Sequence, residues 1–150
     1  MTNPQLETLN SALPHLVPRA AEMGVRFVEL RPGYVCARLP FEGNGNHVGT
    51  VYAGVIFTLA ELLGGAMHLA TFDATTHYPL VRSMTIDFLS PGRGPLTASA
   101  ALPDDVIATT RAAVAGGNKA AMPLAATVVS DDGVVVARTH GDYQLRPYDT

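Results

Sequence analysis

Glu61 is the only formally charged side chain in a long apolar stretch, residues 51–72. Burial in apolar surroundings raises the pKa of a carboxylate, and the carboxylate becomes a stronger base when no positive charge compensates. Such a group can activate a water molecule or attack a carbonyl carbon directly. The alternative is that Glu61 lies at the edge of its helix or meets an arginine such as Arg82 or Arg93. The residues alone leave both interpretations open.

A glycine-punctuated segment, residues 46–54, comes just before this carboxylate. The first backbone N–H groups of a helix have no partner inside the helix, and the helix dipole makes that end positive. If the segment leads into a helix, those N–H groups face a cavity and have the properties of an oxyanion hole. Glu61 follows about two turns further along. The segment and the carboxylate together indicate chemistry at a carbonyl group.

The element that must position Glu61 is a helix predicted over residues 54–72, which is apolar on nearly every side. Such a helix has to be wrapped by other structure. The flanking segments show strand patterns or shorter helical patterns. Strands are predicted at 25–30, 34–39, 80–89, 96–102, 119–130 and 134–145, and a shorter helix at 6–17. Residues 106–114 could form a helix or a strand, and their Pro-Asp-Asp start and alanine-rich body favour a helix. This order predicts an α+β fold, an antiparallel sheet wrapped around one long central helix, in a single domain over residues 1–150.

Charge and composition argue against several other classes of protein. The net charge is −3 and the ten Lys and Arg residues are scattered, which argues against a nucleic-acid partner. Glu61 at the centre of residues 51–72 argues against a membrane partner or span, because a charge there is costly. The one cysteine, Cys36, suits a reducing compartment, and residues 1–10 lack signal-peptide features, so we expect a cytoplasmic protein. The histidines form no metal-binding pattern, and we expect no metal.

Residues 46–61 carry a family resemblance. They read Asn46-x-x-Gly49-Thr50-x-Tyr52-Ala53-Gly54-x-x-x-x-Leu59-Ala60-Glu61. This pattern resembles the motif of PaaI-type thioesterases of the hotdog fold, and more narrowly the thioesterase branch represented by the C-terminal hotdog domain of YiiD. Residues 84–91 and 132–138 are similar to later strands of that family, and the resemblance covers about residues 20–146. It implies the hotdog fold and the hydrolysis of an acyl thioester.

The resemblance also implies roles for individual residues. Glu61 matches the helix acid that serves as general base or nucleophile, and Asn46 matches an asparagine that lies near the thioester. The backbone N–H of Ala53 matches the oxyanion donor, and Gly54 matches a glycine where the backbone comes close to the substrate. The other substrate-binding positions of the motif are Gly49 and Thr50.

Three positions depart from the better-studied members of the family. Tyr52 stands where those proteins have a histidine, and a tyrosine can donate a hydrogen bond but is a poor base at neutral pH. Ala53 replaces a glycine, a change that a backbone donor tolerates. Val81 stands at a substrate-binding position where some members carry a polar side chain. These departures affect the expected rate and range of substrates rather than the architecture.

The resemblance implies an assembly and a class of substrate. Two subunits pair their sheets into a homodimer, which can pair again into a homotetramer. The helix acid of one subunit then meets the Asn-containing loop of the other. The substrate is an acyl-CoA or acyl-carrier thioester, so no cofactor is expected beyond coenzyme A as part of the substrate. Arg82, Arg93 and Lys119 are the candidates to bind its phosphates.

Three hypotheses for the function follow. The leading one is an acyl-CoA thioesterase in which Glu61 acts on water or on the thioester, while Asn46 and Tyr52 position the substrate. The second is an enoyl-CoA hydratase of the same fold, and Tyr52 in place of histidine counts against it. The third is a non-catalytic protein that binds acyl-CoA or an acyl carrier. Such a protein would be stabilised by thioesters without turning them over.

Overall fold

The computed structural model describes residues 2–149. Four helices and six strands follow one another within that range. In chain order they are α1 (Pro4–Leu16), α2 (Pro18–Glu22), β1 (Arg26–Arg31), β2 (Tyr34–Leu39), α3 (Ala53–Thr71), β3 (His77–Phe88), β4 (Leu96–Ala101), α4 (Asp104–Ala115), β5 (Ala120–Ser130) and β6 (Val135–Pro147). Each predicted helix and strand is present, with boundaries that move by a few residues.

The six strands form one antiparallel sheet in the order β1-β2-β4-β5-β6-β3. Helix α3 packs against every strand of this sheet. The tight turn between β5 and β6 contains Gly133 with a φ of +85°, a left-handed conformation that glycine adopts without steric cost. The predicted α+β hotdog fold, with an antiparallel sheet wrapped around a long central helix, is confirmed.

Helix α3 supplies much of the core because its apolar residues point in several directions. Leu59, Leu63 and Met67 are completely buried, and ten of the 19 residues of the helix are buried in all. By length and composition alone α3 would also suit a membrane span, a property that core helices of globular proteins share. In this fold the sheet occupies the positions around α3, and the helix holds Glu61 near its middle.

The two edges of the sheet differ in how they are protected. Strand β1 is covered by α1, where the Asn10 side chain donates to the Phe27 carbonyl and accepts from the Phe27 N–H, both at 2.8 Å. Strand β3 lies at the other edge, and no residue in the described chain pairs with its outer side. It leaves Leu80, Val81 and Phe88 between 38% and 51% exposed. Unprotected apolar edge strands readily pair with another chain.

Candidate active site

The loop before α3 is shaped by the side chain of Asn46. Its Oδ1 accepts hydrogen bonds from the backbone N–H groups of Val48 and Thr50, at 3.1 and 3.0 Å, and its Nδ2 donates to Thr50 Oγ1 at 2.9 Å. Asparagine side chains commonly stabilise turns in this way. One amide hydrogen of Asn46 is left for a ligand, so the residue can both hold the loop and contact a substrate.

Asn44 is a second residue that organises the loop, and it was not predicted from the sequence. Its side chain is buried, and Nδ2 donates to the carbonyls of Met23 and Pro40, both at 2.8 Å. The carbonyl of Asn44 accepts from the N–H of Tyr52 at 2.9 Å. These bonds tie the loop to the segment before β1 and set the direction in which α3 begins. The only signal in the sequence was an asparagine between two glycines, at 43 and 45.

The N-terminus of α3 borders a cavity of about 360 Å³. Tyr52 is the N-cap residue but adds no side-chain cap, and within residues 2–149 the N–H groups of Ala53 and Gly54 find no acceptor. The lining comes from the loop, the first turn of α3 and the end of β3, and includes Asn46, Thr50, Ala53, Ile56, Phe88 and Ser90. Free N–H groups at a helix N-terminus stabilise a developing negative charge.

Tyr52, Gly54 and Gly49 lie near this cavity without lining it. Tyr52 is 57% exposed, and its ring folds over the first turn of α3. A Cβ at Gly54 would lie 2.7 Å from Cε1 of that ring, so in this structure the glycine makes room for Tyr52. Gly49 has a φ of +80° in a turn closed by its own N–H and the Asn46 carbonyl. In this structure all three residues shape the helix start.

Glu61 lies two turns inside α3 and is half-buried. Within the described residues no arginine, lysine or histidine forms an ion pair with it. Arg82, one of the partners considered above, lies 3.8 Å from Asp142 instead. Burial raises the pKa of the Glu61 carboxyl above the usual value of a glutamate. In this structure Glu61 is therefore a partly desolvated carboxyl group rather than an ion-paired surface acid.

Tyr143 lies beneath Glu61 and was not anticipated from the sequence. Its hydroxyl donates to the backbone carbonyl of Glu61 at 2.9 Å, and its side chain is buried. Burial, reinforced by the nearby Glu61 charge, raises the pKa of the Tyr143 hydroxyl far above its usual value. The phenol therefore stays neutral and keeps its donor on the helix backbone. Tyr143 holds the turn that carries the carboxylate against β6.

Two glycines form the slot that admits the Tyr143 ring. A Cβ at Gly64 on α3, or at Gly141 on β6, would overlap that ring. A glycine inside a helix or strand weakens the element, so its presence often marks a close approach. The Gly64-Gly65 pair and Gly141 were the signal in the sequence, and the identity of the intruding side chain could only come from the fold.

The predicted phosphate-binding residues are not gathered at one place in the chain. Arg93 lines a cavity next to the one at the N-terminus of α3. The two cavities share Ser90 and Pro91 in their walls. Lys119 lies near the opposite end of β3, where Asn118 accepts from His77. Among residues 2–149 no three His, Cys, Asp or Glu side chains come together to hold a metal ion.

The oxyanion donor and the acid are separated within one chain. Ala53 and Glu61 are eight residues apart on α3, which places them about 12 Å from each other along the helix axis. Reacting atoms have to approach to about 3–3.5 Å. The backbone separation is several times this contact distance. Val81, where some family members carry a polar side chain, pairs in the β3–β6 ladder with Tyr143, whose hydroxyl donates to the Glu61 carbonyl.

Comparison with known proteins places the chain in a family. The model of DUF4442, a domain of unknown function, matches residues 7–144. No curated protein matches the chain.

Solved structures show the same fold. The protein PA5026 of Pseudomonas aeruginosa, described as of unknown function and a probable thioesterase, is 37% identical, with a TM-score of 0.86 and 95% of each chain covered. The thioesterase HI1161 of Haemophilus influenzae is 15% identical with a TM-score of 0.74, over 95% of this chain and 90% of the other. A thioesterase family protein of Silicibacter pomeroyi is 17% identical with a TM-score of 0.73, over 96% of this chain and 99% of the other.

The relation to the YiiD branch stays a prediction. The chain belongs to the DUF4442 family and to the hotdog-fold thioesterase superfamily.

Proposed function

We propose that this chain is an acyl-CoA thioesterase in which Glu61 is the general base or nucleophile. The observation that carries the proposal is the half-buried Glu61 carboxylate, which has a raised pKa and no cationic partner in the described chain. It lies on a helix whose first N–H groups are free beside a cavity. A base and an oxyanion donor are the parts that thioester hydrolysis requires. The likeness to PA5026 supports this reaction class.

In the proposed reaction the thioester carbonyl accepts a hydrogen bond from the Ala53 N–H, while Asn46 and Tyr52 position the substrate. Glu61 takes a proton from a water molecule as the water oxygen bonds to the carbonyl carbon. The N–H groups stabilise the resulting oxyanion. Its collapse breaks the C–S bond, and the proton held by Glu61 passes to the leaving sulfur. Arg93, beside the same cavity, is the basic residue best placed to meet a phosphate of coenzyme A.

A homodimer is part of the proposal, because the two catalytic parts are about 12 Å apart within one chain. A second copy would bring its own helix start to Glu61 of the first. The outer side of β3 is the edge best suited to that pairing, since α1 already covers β1. The exposed apolar side chains of β3, Leu80 and Phe88 among them, support the same arrangement.

Leu80→Lys tests this assembly. A lysine on an edge strand opposes pairing with another strand, so we expect the variant to shift from dimer to monomer mass in light scattering and to lose hydrolysis with it. Val28→Lys is the matched control, because Val28 is 41% exposed on the opposite edge strand, β1. If Leu80→Lys kept both the dimer mass and the activity of the wild type, β3 would not be the interface.

The proposed reaction is tested by following the release of free thiol from a panel of acyl-CoAs that differ in length and aromaticity. We expect the wild-type protein to hydrolyse at least one member with saturable kinetics. An absence of thiol release across the panel, together with thermal stabilisation by the same compounds, would instead favour the non-catalytic binding protein.

The binding protein is the second candidate because of Tyr52. Tyr52 stands where better-studied relatives have a histidine, and its exposed ring folds over the start of α3. The cavity therefore has no histidine at that position to assist the reaction. The enoyl-CoA hydratase hypothesis is disfavoured for the same reason, because hydratases of this fold usually use a histidine together with an acid. The absorbance change of crotonyl-CoA on mixing with the protein tests this hypothesis.

A further inference from the structure

A separate cavity lies between α1, α3 and residues near the C-terminal end of the described chain. Its volume is about 300 Å³. The walls are mostly aliphatic and aromatic and include Leu9, Leu13, Leu16, Leu62, Leu69 and Tyr148. In the part of the chain that the structure describes, no Asp, Glu, Lys or Arg side chain lines this cavity. We refer to it as the α1–α3 groove.

The groove is also lined by His68, whose Nδ1 has no hydrogen-bond partner within the described residues. His68 is 3% exposed, and one of its ring nitrogens, Nε2, lies 3.0 Å from the His77 carbonyl. Burial lowers the pKa of the His68 imidazole, so it is neutral at physiological pH. The groove therefore suits an apolar ligand and disfavours one that carries charge, since a buried charge needs a partner.

The groove runs along the part of α3 that follows Glu61, with Leu62 and Gly65 in its wall. Gly65 lines it and follows Glu61 by four residues, so both lie on the same face of α3, about 6 Å apart along the axis. A Cβ at Gly65 would meet no atom of the described residues within 4 Å. A glycine in a helix interior weakens the helix relative to alanine, yet no neighbour requires one here. Its lack of a side chain leaves the groove open on the face of α3 that carries Glu61.

We propose that the α1–α3 groove holds the acyl chain of the thioester, with Gly65 as the residue that keeps its mouth open. This assignment rests on the proposed function, since it takes Glu61 as the place where the thioester carbonyl is held. The substrates it selects are thioesters of extended, uncharged, apolar acyl groups. Short acyl groups such as acetyl end before Gly65 and gain nothing from the groove.

Exposed apolar side chains at the rim support this occupant. Leu16 is 63% exposed and Tyr148 is 51% exposed, although both line the groove. An acyl chain entering between them would remove apolar surface from water. Full burial of each added methylene strengthens binding by up to about fourfold. Affinity should therefore increase with chain length until the groove is filled.

The test uses non-hydrolysable thioethers, so that binding is measured without turnover. Calorimetry gives Kd for coenzyme A, S-ethyl-CoA and S-dodecyl-CoA with wild type, Gly65→Met and Ala108→Met. We expect the wild type to bind the dodecyl compound at least tenfold more tightly than the ethyl compound. Gly65→Met should abolish that gain and leave ethyl binding unchanged. Ala108 is exposed on α4, so its variant should match the wild type.

A rim variant guards against misfolding of Gly65→Met. Leu16→Glu changes an exposed side chain, and we expect it to weaken dodecyl binding alone. If the wild type bound S-ethyl-CoA and S-dodecyl-CoA with equal affinity, the proposal would be overturned. It would also be overturned if Gly65→Met and Leu16→Glu both kept the full wild-type preference for the dodecyl compound. A fall in oligomer mass for Leu16→Glu, with length-independent binding, would show that a second copy covers the groove. The binding test does not depend on hydrolysis, so the two proposals can fail separately. If the protein bound S-dodecyl-CoA more tightly than S-ethyl-CoA but hydrolysed no acyl-CoA, the thioesterase proposal would be refuted and the groove assignment would stand.

Discussion

Glu61→Gln is expected to lower kcat/KM for acyl-CoA hydrolysis by about 10²–10⁴-fold, the usual contribution of a general base, and at the same time to raise the melting temperature at neutral pH. The amide keeps the shape of the side chain but cannot take a proton from water. It also removes a charge that is half-buried without a cationic partner in the described chain. Function and stability are expected to oppose each other at this residue.

The pH dependence follows from the direction of the pKa shift. Because burial raises the pKa of Glu61 in the folded protein, the ionised carboxylate lowers stability at pH values above that raised pKa. The cost disappears as pH falls, since below the pKa of an unfolded glutamate, about 4.3, both states are protonated. The stability advantage of Glu61→Gln should therefore be present at neutral pH and absent below about pH 4. Wild-type activity should fall as pH decreases through the raised pKa.

Thermal unfolding and thiol release at matched protein concentrations measure both effects. Glu42→Gln is the control, because Glu42 is exposed in the loop before α3. We expect it to behave as wild type in each assay. Wild-type rates in Glu61→Gln would remove Glu61 from the mechanism, and a lower melting temperature would contradict its description as a desolvated charge.

The second large effect is expected from a pair of adjacent glycines. Gly64→Ala should lower the free energy of unfolding by about 1–3 kcal/mol, the usual cost of overpacking. Its Cβ would overlap the Tyr143 ring and push the Tyr143 hydroxyl away from the Glu61 carbonyl. Gly65→Ala should instead raise the free energy of unfolding by about 0.5–1 kcal/mol, because alanine favours the helix and its Cβ meets open space.

Urea denaturation of the two variants, at one protein concentration, gives the comparison directly. A smaller residue at position 143 should rescue the first variant, so Gly64→Ala should cost less in a Tyr143→Leu background than in the wild type. Equal effects of the two glycine variants would mean that the ring does not occupy the slot. Activity should follow the same order, because Tyr143 holds the turn that carries Glu61.

Local patterns were sufficient to predict the order of the elements except for the five-residue helix α2, which was not predicted. The apolar residues between positions 54 and 72 repeat with a helical period, and residues 80–89 alternate with the period of a strand. The Asp-Gly pair at 132–133 is a turn for a reason confined to its own backbone angles. The isolation of Glu61 was also visible, since it depends only on which residues surround it along the chain. These properties are encoded over a few residues, and the sequence by itself determined them.

Only the tertiary structure decided what each residue of the site touches. Tyr143 is 82 residues from Glu61, and no periodicity connects the two positions. Gly64 and Gly65 are identical in sequence terms, yet one faces a ring and the other faces open space. Which edge of the sheet is free depends on where α1 packs, and the separation of Arg93 from Lys119 depends on the length of β3. Such contacts join segments distant in sequence, and the packing of the whole chain determines them.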